Sequence, residues 1–317
     1  MGANAVQTCV NWFTHETCEG KYRFSGMANL TRFVLTAQDV GLWVILRPGP
    51  YIDNAVDFGG LPAWLLKDPD IYLRSSDPRF LGPVKRWYDV LLPLMKPLLI
   101  TNGGPIIMVA IENEYGSWTK CDTNYTTWLS NLTKSHLGKG VVYFSVDGGM
   151  DVFLHCIIPD AEVYPTVDFG PKSLESVRKD FGNQRNVTPH HAGPYVNSEF
   201  YPGTESYWNA SYPRHPIQPI VDTIRYMYEQ GASFNLFMFA GGTNFGYTNG
   251  ANIWRNDSRL SVITTSFDYN APLTEAGDYT PKYFAIRQQI ERVTGKEIAT
   301  APPEEGEKFH YGNITFK

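Results

Sequence analysis

Seven short apolar stretches alternate with segments of helical periodicity along this 317-residue chain, and that alternation constrains the fold more than any other feature. Strands are predicted over residues 3–10, 42–46, 105–111, 141–146, 162–167, 194–197 and 235–239. Helices are predicted over 30–40, 83–99 with an interruption at Pro93, 123–136, 174–181, 220–230 and 283–293. Leu30, Phe33, Val34 and Ala37 repeat at helical spacing, with Gly41 behind them as a stop. Ile220, Ile224, Met227 and Tyr228 form a second such stripe ahead of Gly231. Strands that are apolar on both faces and separated by helices indicate a parallel sheet covered by helices.

An open doubly wound sheet competes with a closed barrel at this level. The glycine fingerprint that binds phosphates after the first strand of such a sheet is absent. Polar and aromatic residues gather instead where strands end: Asn11-Trp12, Arg47-Pro48-Gly49-Pro50-Tyr51, Asn113-Glu114-Tyr115, Asp147-Gly148, Asp168-Phe169 and Ser198-Glu199-Phe200. Function-bearing residues at the C-terminal ends of many strands are what a TIM (β/α)8-type barrel predicts, so the α/β class and that barrel are expected. The count is one strand short, and the first β-strand/α-helix unit is expected to be lacking. Residues 1–298 read as the barrel. The tail over 299–317 reads as a linker, Ala301-Pro302-Pro303-Glu304-Glu305-Gly306-Glu307, followed by a strand over 311–316 that opens another domain.

A formal net charge of −5 offers no basic field for a nucleic acid, and no apolar run reaches the roughly 18 residues of a membrane span. The 14% aromatic content fits sugar-binding faces, but core packing accounts for it equally simply. The seven histidines are scattered, with no HExxH or clustered Cys/His pattern, so neither a metal nor a cofactor is expected. Asn-x-Ser/Thr sequons stand at Asn29, Asn124, Asn131, Asn186, Asn209, Asn256 and Asn313. Seven exceeds the roughly two to three expected by chance and points to the secretory pathway and a glycoprotein. Residues 1–4 carry neither a basic n-region nor an apolar h-region, so a front end with the signal peptide is expected to be missing.

Two strand ends carry a glutamate that needs explaining. The apolar run over 105–111 leads straight into Glu112-Asn113-Glu114, and the run over 194–197 leads into Ser198-Glu199. A carboxylate at the mouth of a packed core is costly unless it is paired or working. Pairing with a neighbouring Lys or Arg would explain either residue singly; for both together, chemistry is the better account. Glycosidic cleavage needs two carboxyls, one protonated to assist the leaving oxygen and one ionised to attack the anomeric carbon. A retaining pair would sit about 5–5.5 Å apart.

Arg47-Pro48-Gly49-Pro50-Tyr51-Ile52, Gly59-Gly60-Leu61-Pro62-Ala63-Trp64-Leu65-Leu66, Glu112-Asn113-Glu114-Tyr115-Gly116, Asn197-Ser198-Glu199-Phe200-Tyr201 and Gly241-Gly242-Thr243-Asn244-Phe245 resemble glycoside hydrolase family 35, which includes the lysosomal β-galactosidases of animals. The resemblance spans practically the whole chain. It implies Glu114 as acid/base, Asn113 as a partner of the sugar 2-hydroxyl, and Glu199 as nucleophile. Tyr269 matches a galactose-binding tyrosine; Tyr201 and Tyr247 are candidate pocket residues, with ordinary core packing as the alternative for each. The resemblance also implies a Cys121–Cys156 disulfide, leaving Cys9 and Cys18 over, a structural role for Glu112, and lysosomal or secreted delivery. The expected substrate is a terminal β-galactoside of an oligosaccharide or glycoconjugate, hydrolysed with retention.

Three positions depart from the family pattern near the sugar: Cys9 replaces a tyrosine, Ala55 a glutamate and Thr204 a tryptophan. They keep two alternatives open, a glycan-binding homologue without catalysis and a β-glycosidase with another sugar preference. The family pattern also places a strand and helix before Met1 and β domains after Lys317, so a fragment with open barrel edges is expected to be unstable.

Overall fold

A computed structural model of the chain describes residues 1–149, 155–246, 248–254 and 257–315. Seven strands form one sheet in chain order: β1 (Ala5–Cys9), β2 (Trp43–Arg47), β3 (Ile106–Ala110), β4 (Val142–Gly148), β5 (Val163–Phe169), β6 (Val196–Phe200) and β7 (Ser233–Leu236). Every neighbouring pair is parallel. Among the described residues the helices of ten residues or more are α1 (Leu30–Asp39), α2 (Pro78–Met95), α3 (Thr123–Leu137), α4 (Leu174–Val187), α5 (Ile217–Glu229) and α6 (Pro281–Thr294). Parallel strands with helices between them make a nearly closed TIM-type barrel. Among the described residues β1 and β7 do not pair with each other.

All seven predicted strands are present, each boundary within three residues of its expected place. Helix α2 differs more. It begins at Pro78, where the Asp77 side chain caps the Arg79 N–H at 2.9 Å and proline occupies the first helical position. It then runs through Pro83 and Pro93 without stopping. Proline costs a helix interior about 3 kcal/mol, but Phe80, Val84, Trp87, Tyr88, Leu91, Leu92 and Met95 are all buried on one side. At about 1.5–3 kcal/mol for each buried side chain, packing outweighs the two interruptions. Helix α4 likewise continues past Phe181 to Val187, because buried Gln184 donates from its amide to the Pro165 carbonyl at 2.8 Å.

Strand alternation divides the side chains. Val44, Leu46 and Val109 pack outward with Val34, Trp87, Leu91 and Leu129, while Val167, Phe169 and Phe200 pack with Phe181, Ile224, Met227 and Ile286. The intervening positions, including Cys9, Arg47, Ala110 and Asp168, therefore face the barrel interior. Between β7 and α6 the chain makes two small antiparallel pairs, β8 (Gly242–Thr243) with β11 (Ser266–Phe267) and β9 (Ala251–Trp254) with β10 (Asp257–Val262). This excursion carries Asn252 and Tyr269.

The tail is extended chain without helix or strand over residues 299–315. The strand expected over 311–316 is not formed at 311–315, where Tyr311 and Ile314 are exposed; Phe316 lies outside the described residues. The sequon residues Asn124, Asn131, Asn186, Asn209 and Asn313 are exposed. Asn29 is half-buried and caps α1 by accepting from the Arg32 N–H at 2.9 Å. Asn256 lies outside the described residues. Among the described residues no helix is long and apolar enough to cross a membrane.

Candidate active site

Beyond Ala110 the chain leaves the β conformation, and Glu112 and Glu114 both take left-handed backbone angles, with φ of 64° and 44°. Such conformations cost a non-glycine residue about 1–3 kcal/mol and persist only when neighbours enforce them. Here the Glu114 N–H donates to the Val146 carbonyl at 2.9 Å, and the Asn113 N–H donates to Glu112 Oε2 at 2.7 Å. Regular alternation would put Glu112 and Glu114 on one face, but the strand has already ended and the two diverge. Glu112 is 2% exposed and accepts from Arg74 at 2.7 and 3.2 Å and from the Tyr125 hydroxyl at 2.8 Å. Its oxygens are occupied by structural partners.

Glu114 turns to the pocket instead, keeping part of its surface open although protein atoms crowd around it. The Asn113 side-chain amide donates to its Oε2 at 3.2 Å. Burial, reinforced by the negative charges of Asp168 and Asp53, pushes the Glu114 carboxyl up to about 8; the Arg47 charge and the Asn113 hydrogen bond oppose this only in part. A carboxyl in that state still holds its proton at neutral pH.

Glu199 reaches the interior through a β-bulge. Asn197 pairs with Val167 and Glu199 pairs with Asp168, so Ser198 is the extra residue between them. Without it, alternation would send Glu199 to the helix side with Asn197. With it, Glu199 stands beside inward-facing Asp168, forms an ion pair with Arg47, and accepts from the Tyr201 hydroxyl at 3.1 Å. The Asp168 carboxyl is itself pushed up to about 6 by burial, which the Tyr201 hydroxyl and the Arg47 and Lys172 charges offset incompletely. Arg47 is bonded to Glu199 while its charge is felt at Glu114, and the Tyr201 hydroxyl is bonded to Glu199 while it feels Glu114. The two glutamates therefore share Arg47 and Tyr201 as neighbours.

Tyr269 is 4% exposed and sits in a small aromatic group with Phe237 and Phe267. Its backbone approaches Gly203 so closely that a Cβ there would lie 1.8 Å from the Tyr269 carbonyl oxygen, which only glycine allows. Burial raises the Tyr269 phenol well above its ordinary value, and Glu205, Tyr207, Asp53 and Glu114 add to this. Of the predicted residues, Asn113 is bonded to Glu114, Tyr201 is bonded to Glu199, and Tyr269 lies near enough to feel the Glu114 charge, while Tyr247 lies outside the described residues. Asn113 Oδ1, Asp168 Oδ2, and Nε and Nη2 of Arg47 are buried with no partner among the described residues. Leaving such groups unsatisfied costs about 1–3 kcal/mol each, a state that a polar ligand would relieve.

Sequence reasoning assigned no role to Arg47 or Asp168, although both are charged residues closing apolar strands. Nor did it single out Asp53, Arg74 or Glu205, which lie in irregular segments. A cavity of about 250 Å³ is lined by Tyr51, Asp53, Ala55, Arg74, Trp118 and Asn252, among others. Neither Glu114 nor Glu199 lines it; Asp53, whose charge reaches Glu114, and Arg74, which donates to the Asn113 carbonyl at 2.5 Å, join it to the carboxyl pocket. Of the departures, Cys9 faces inward beside Arg47 with its thiol pushed up by burial, Ala55 borders the cavity, and the Thr204 hydroxyl donates to Glu205 at 2.9 Å. Cys121 and Cys156 are disulfide-bonded, with Cα atoms 5.4 Å apart, and Cys9 and Cys18 are free.

Solved structures with this architecture include a glycosidase, GH5_18 of Streptomyces cattleya, with a TM-score of 0.62 at 12% identity over 96% of this chain and 74% of that one. The polyextremophilic β-galactosidase of Halorubrum lacusprofundi gives 0.57 at 11% identity over 95% of this chain and 55% of its own. At such identities the likeness concerns the fold alone. Sequence similarity goes further. The β-galactosidase of Canis lupus familiaris is 46% identical over 316 residues, covering 100% of this chain and 46% of its own length. The human β-galactosidase is 45% identical over 316 residues, with 45% of its length covered, so the chain spans about half the length of these relatives. The model of the family described as glycosyl hydrolases family 35 matches residues 1–293, taking in both strand-end glutamates and the barrel that holds them. The chain belongs to glycosyl hydrolase family 35.

Proposed function

We infer that this chain, over residues 1–298, is the catalytic part of a retaining exo-β-glycosidase that removes terminal β-galactosyl residues from oligosaccharides or glycoconjugates. One observation supports the reading: two strand-end carboxyls with Arg47 and Tyr201 as common neighbours stand in different settings. Glu114 is pushed up to about 8 and retains a proton, whereas Glu199 is bound to a guanidinium, a setting that suits the anion. Separate environments for acid and nucleophile are what glycosidic cleavage requires.

In the first step the Glu199 carboxylate attacks the anomeric carbon while Glu114 gives its proton to the departing oxygen. The aglycone leaves as an alcohol and the sugar becomes an ester of Glu199. In the second step Glu114, now ionised, takes a proton from water, whose oxygen displaces Glu199 with retained configuration. Asn113 Oδ1, free and buried, accepts from the sugar 2-hydroxyl. Tyr201 and Tyr269 complete the sugar site, for which Tyr247, outside the described residues, is a further candidate. The preference for galactose draws its support from the names of the full-span relatives. Lysosomal or secreted delivery, with glycans on the exposed sequons, fits the disulfide, which forms in oxidising compartments.

The test is turnover of aryl β-galactoside beside other aryl β-glycosides. Glu199→Gln should abolish it with the fold retained; near-wild-type turnover would remove the assignment. A glycan-binding role without catalysis is the second reading, favoured by Cys9, Ala55 and Thr204, and it predicts saturable sugar binding with no hydrolysis.

A further inference from the structure

Glu205 follows the nucleophile strand by five residues and has no part in the two-carboxyl chemistry. Its Oε1 accepts from the Tyr207 hydroxyl at 2.5 Å and from the Asn252 amide at 2.8 Å, and its Oε2 accepts from the Thr204 hydroxyl at 2.9 Å. A carboxylate offers about four acceptor positions, so three internal donors fix its orientation and leave capacity at Oε2 for one more. Its Oε1 partners place the carboxylate beside the cavity, which Glu205 itself does not line. Asn252 lines the 250 Å³ cavity together with Asp53 and Ala55. Tyr207 and Ala55 both pack on the group that contains Phe267, Tyr269 and Ala271. Glu205 therefore sits where the cavity meets the Tyr269 end of the pocket, and in agreement its charge is felt at both Asp53 and Tyr269.

We propose that Glu205 is a specificity-determining residue that accepts a hydrogen bond from a ring hydroxyl of the bound sugar, away from the anomeric carbon. The inference rests on the glycosidase reading above. A fixed, half-buried carboxylate discriminates because an epimer that turns its hydroxyl away leaves the acceptor unpaired. Ala55 matters by its size, since its methyl group leaves this part of the cavity to the ligand.

The experiment compares wild type, Glu205→Gln, Glu205→Leu and Glu205→Leu with Ala55→Glu on aryl β-galactoside and its gluco epimer, with Glu199→Gln run alongside. Glu205→Leu should lower kcat/KM for the preferred epimer at least tenfold and compress the ratio between epimers. Glu205→Gln should fall between, and Ala55→Glu, restoring an acid to the same cavity, should recover part of the ratio. Melting temperatures identify any variant that fails to fold, in which case the isosteric Glu205→Gln decides. An epimer ratio within twofold of wild type in a folded variant overturns the proposal, including the case of an equal loss on both epimers. Wild-type turnover by Glu199→Gln, or no turnover by any form, counts against the hydrolase reading instead; calorimetric affinity for the same two glycosides then decides on Glu205 by the same twofold criterion.

Discussion

Arg47 and Glu199 lie 152 residues apart in the chain yet form an ion pair whose side chains are 1% and 7% exposed. Strands β2 and β6 bring them together, and the bulge at Ser198 turns Glu199 to meet the guanidinium. Removing one member of a buried pair strands the other without compensation, at about 3–5 kcal/mol. Arg47→Met should therefore lower the unfolding free energy by roughly that amount in urea titration. Turnover should fall further than the folded fraction, because Glu199, the proposed nucleophile, loses the cation that holds it. A variant with wild-type stability and rate would show that the pair is dispensable.

The pH dependence follows from Glu114. Its carboxyl rises from an ordinary 4.5 to about 8 on folding, so between those values the unfolded chain has given up a proton that the native state keeps. Stability should decline as pH rises through that window, by up to about 1.4 kcal/mol per pH unit. Asp168, pushed up to about 6, contributes in the same direction at the acid end. Glu114→Gln should flatten the curve and gain stability on the alkaline side. In the proposed mechanism the same proton goes to the leaving oxygen, so kcat/KM should fall above about pH 8 as Glu114 ionises. A melting temperature that climbs between pH 5 and pH 8 would contradict this.

The barrel was legible because strand hydrophobicity and helical stripes are local properties, and seven strands in that order admit few topologies. Glu114 and Glu199 were legible as charges closing apolar runs. What the sequence could not show was geometry set by distant partners. Glu112 and Glu114 look equivalent at a spacing of two, and only the left-handed backbone beyond Ala110 separates them. Ser198 reads as an ordinary strand residue until its register against β5 is known. Asp77-Pro78 is a cap signal for the start of α2, but Pro83 reads as a helix boundary in the sequence and hides the turn ahead of it. Glu205 lies in an irregular segment where no periodicity marks it.

Arg74 and Glu112 form a second buried ion pair beside that of Arg47 and Glu199. Arg74 is 4% exposed, bonded to Glu112 and stacked over Tyr51 with its guanidinium carbon 4.0 Å from the ring centroid. Glu112→Gln should cost about 3–5 kcal/mol by leaving the cation unpaired. Tyr125→Phe removes only the 2.8 Å hydroxyl bond and should cost about 1–3 kcal/mol. Both losses should appear first in the denaturation midpoint. If Glu112→Gln instead left stability intact and abolished turnover, Glu112 would have to be moved into the catalytic machinery.

Cysteine chemistry separates stability from reactivity. The Cys121–Cys156 bridge joins α3's leading edge to the segment after β4 across 35 residues of sequence, and closing a loop of that length removes unfolded-state entropy worth about 4 kcal/mol. Reduction, or Cys121→Ser with Cys156→Ser, should lower the melting temperature accordingly. Free Cys18 is exposed, whereas Cys9 faces the barrel interior with its thiol pushed up by burial, so it holds little of the nucleophilic thiolate. Iodoacetamide on the native, unreduced protein should therefore modify Cys18 alone, with turnover preserved. Cys9 should react only on unfolding, or slowly through local opening, and a glycoside bound in the pocket should slow it further. Peptide mapping after timed labelling separates the two sites, and equal labelling of both thiols in the native state would mean that the barrel interior next to Arg47 is open to solvent.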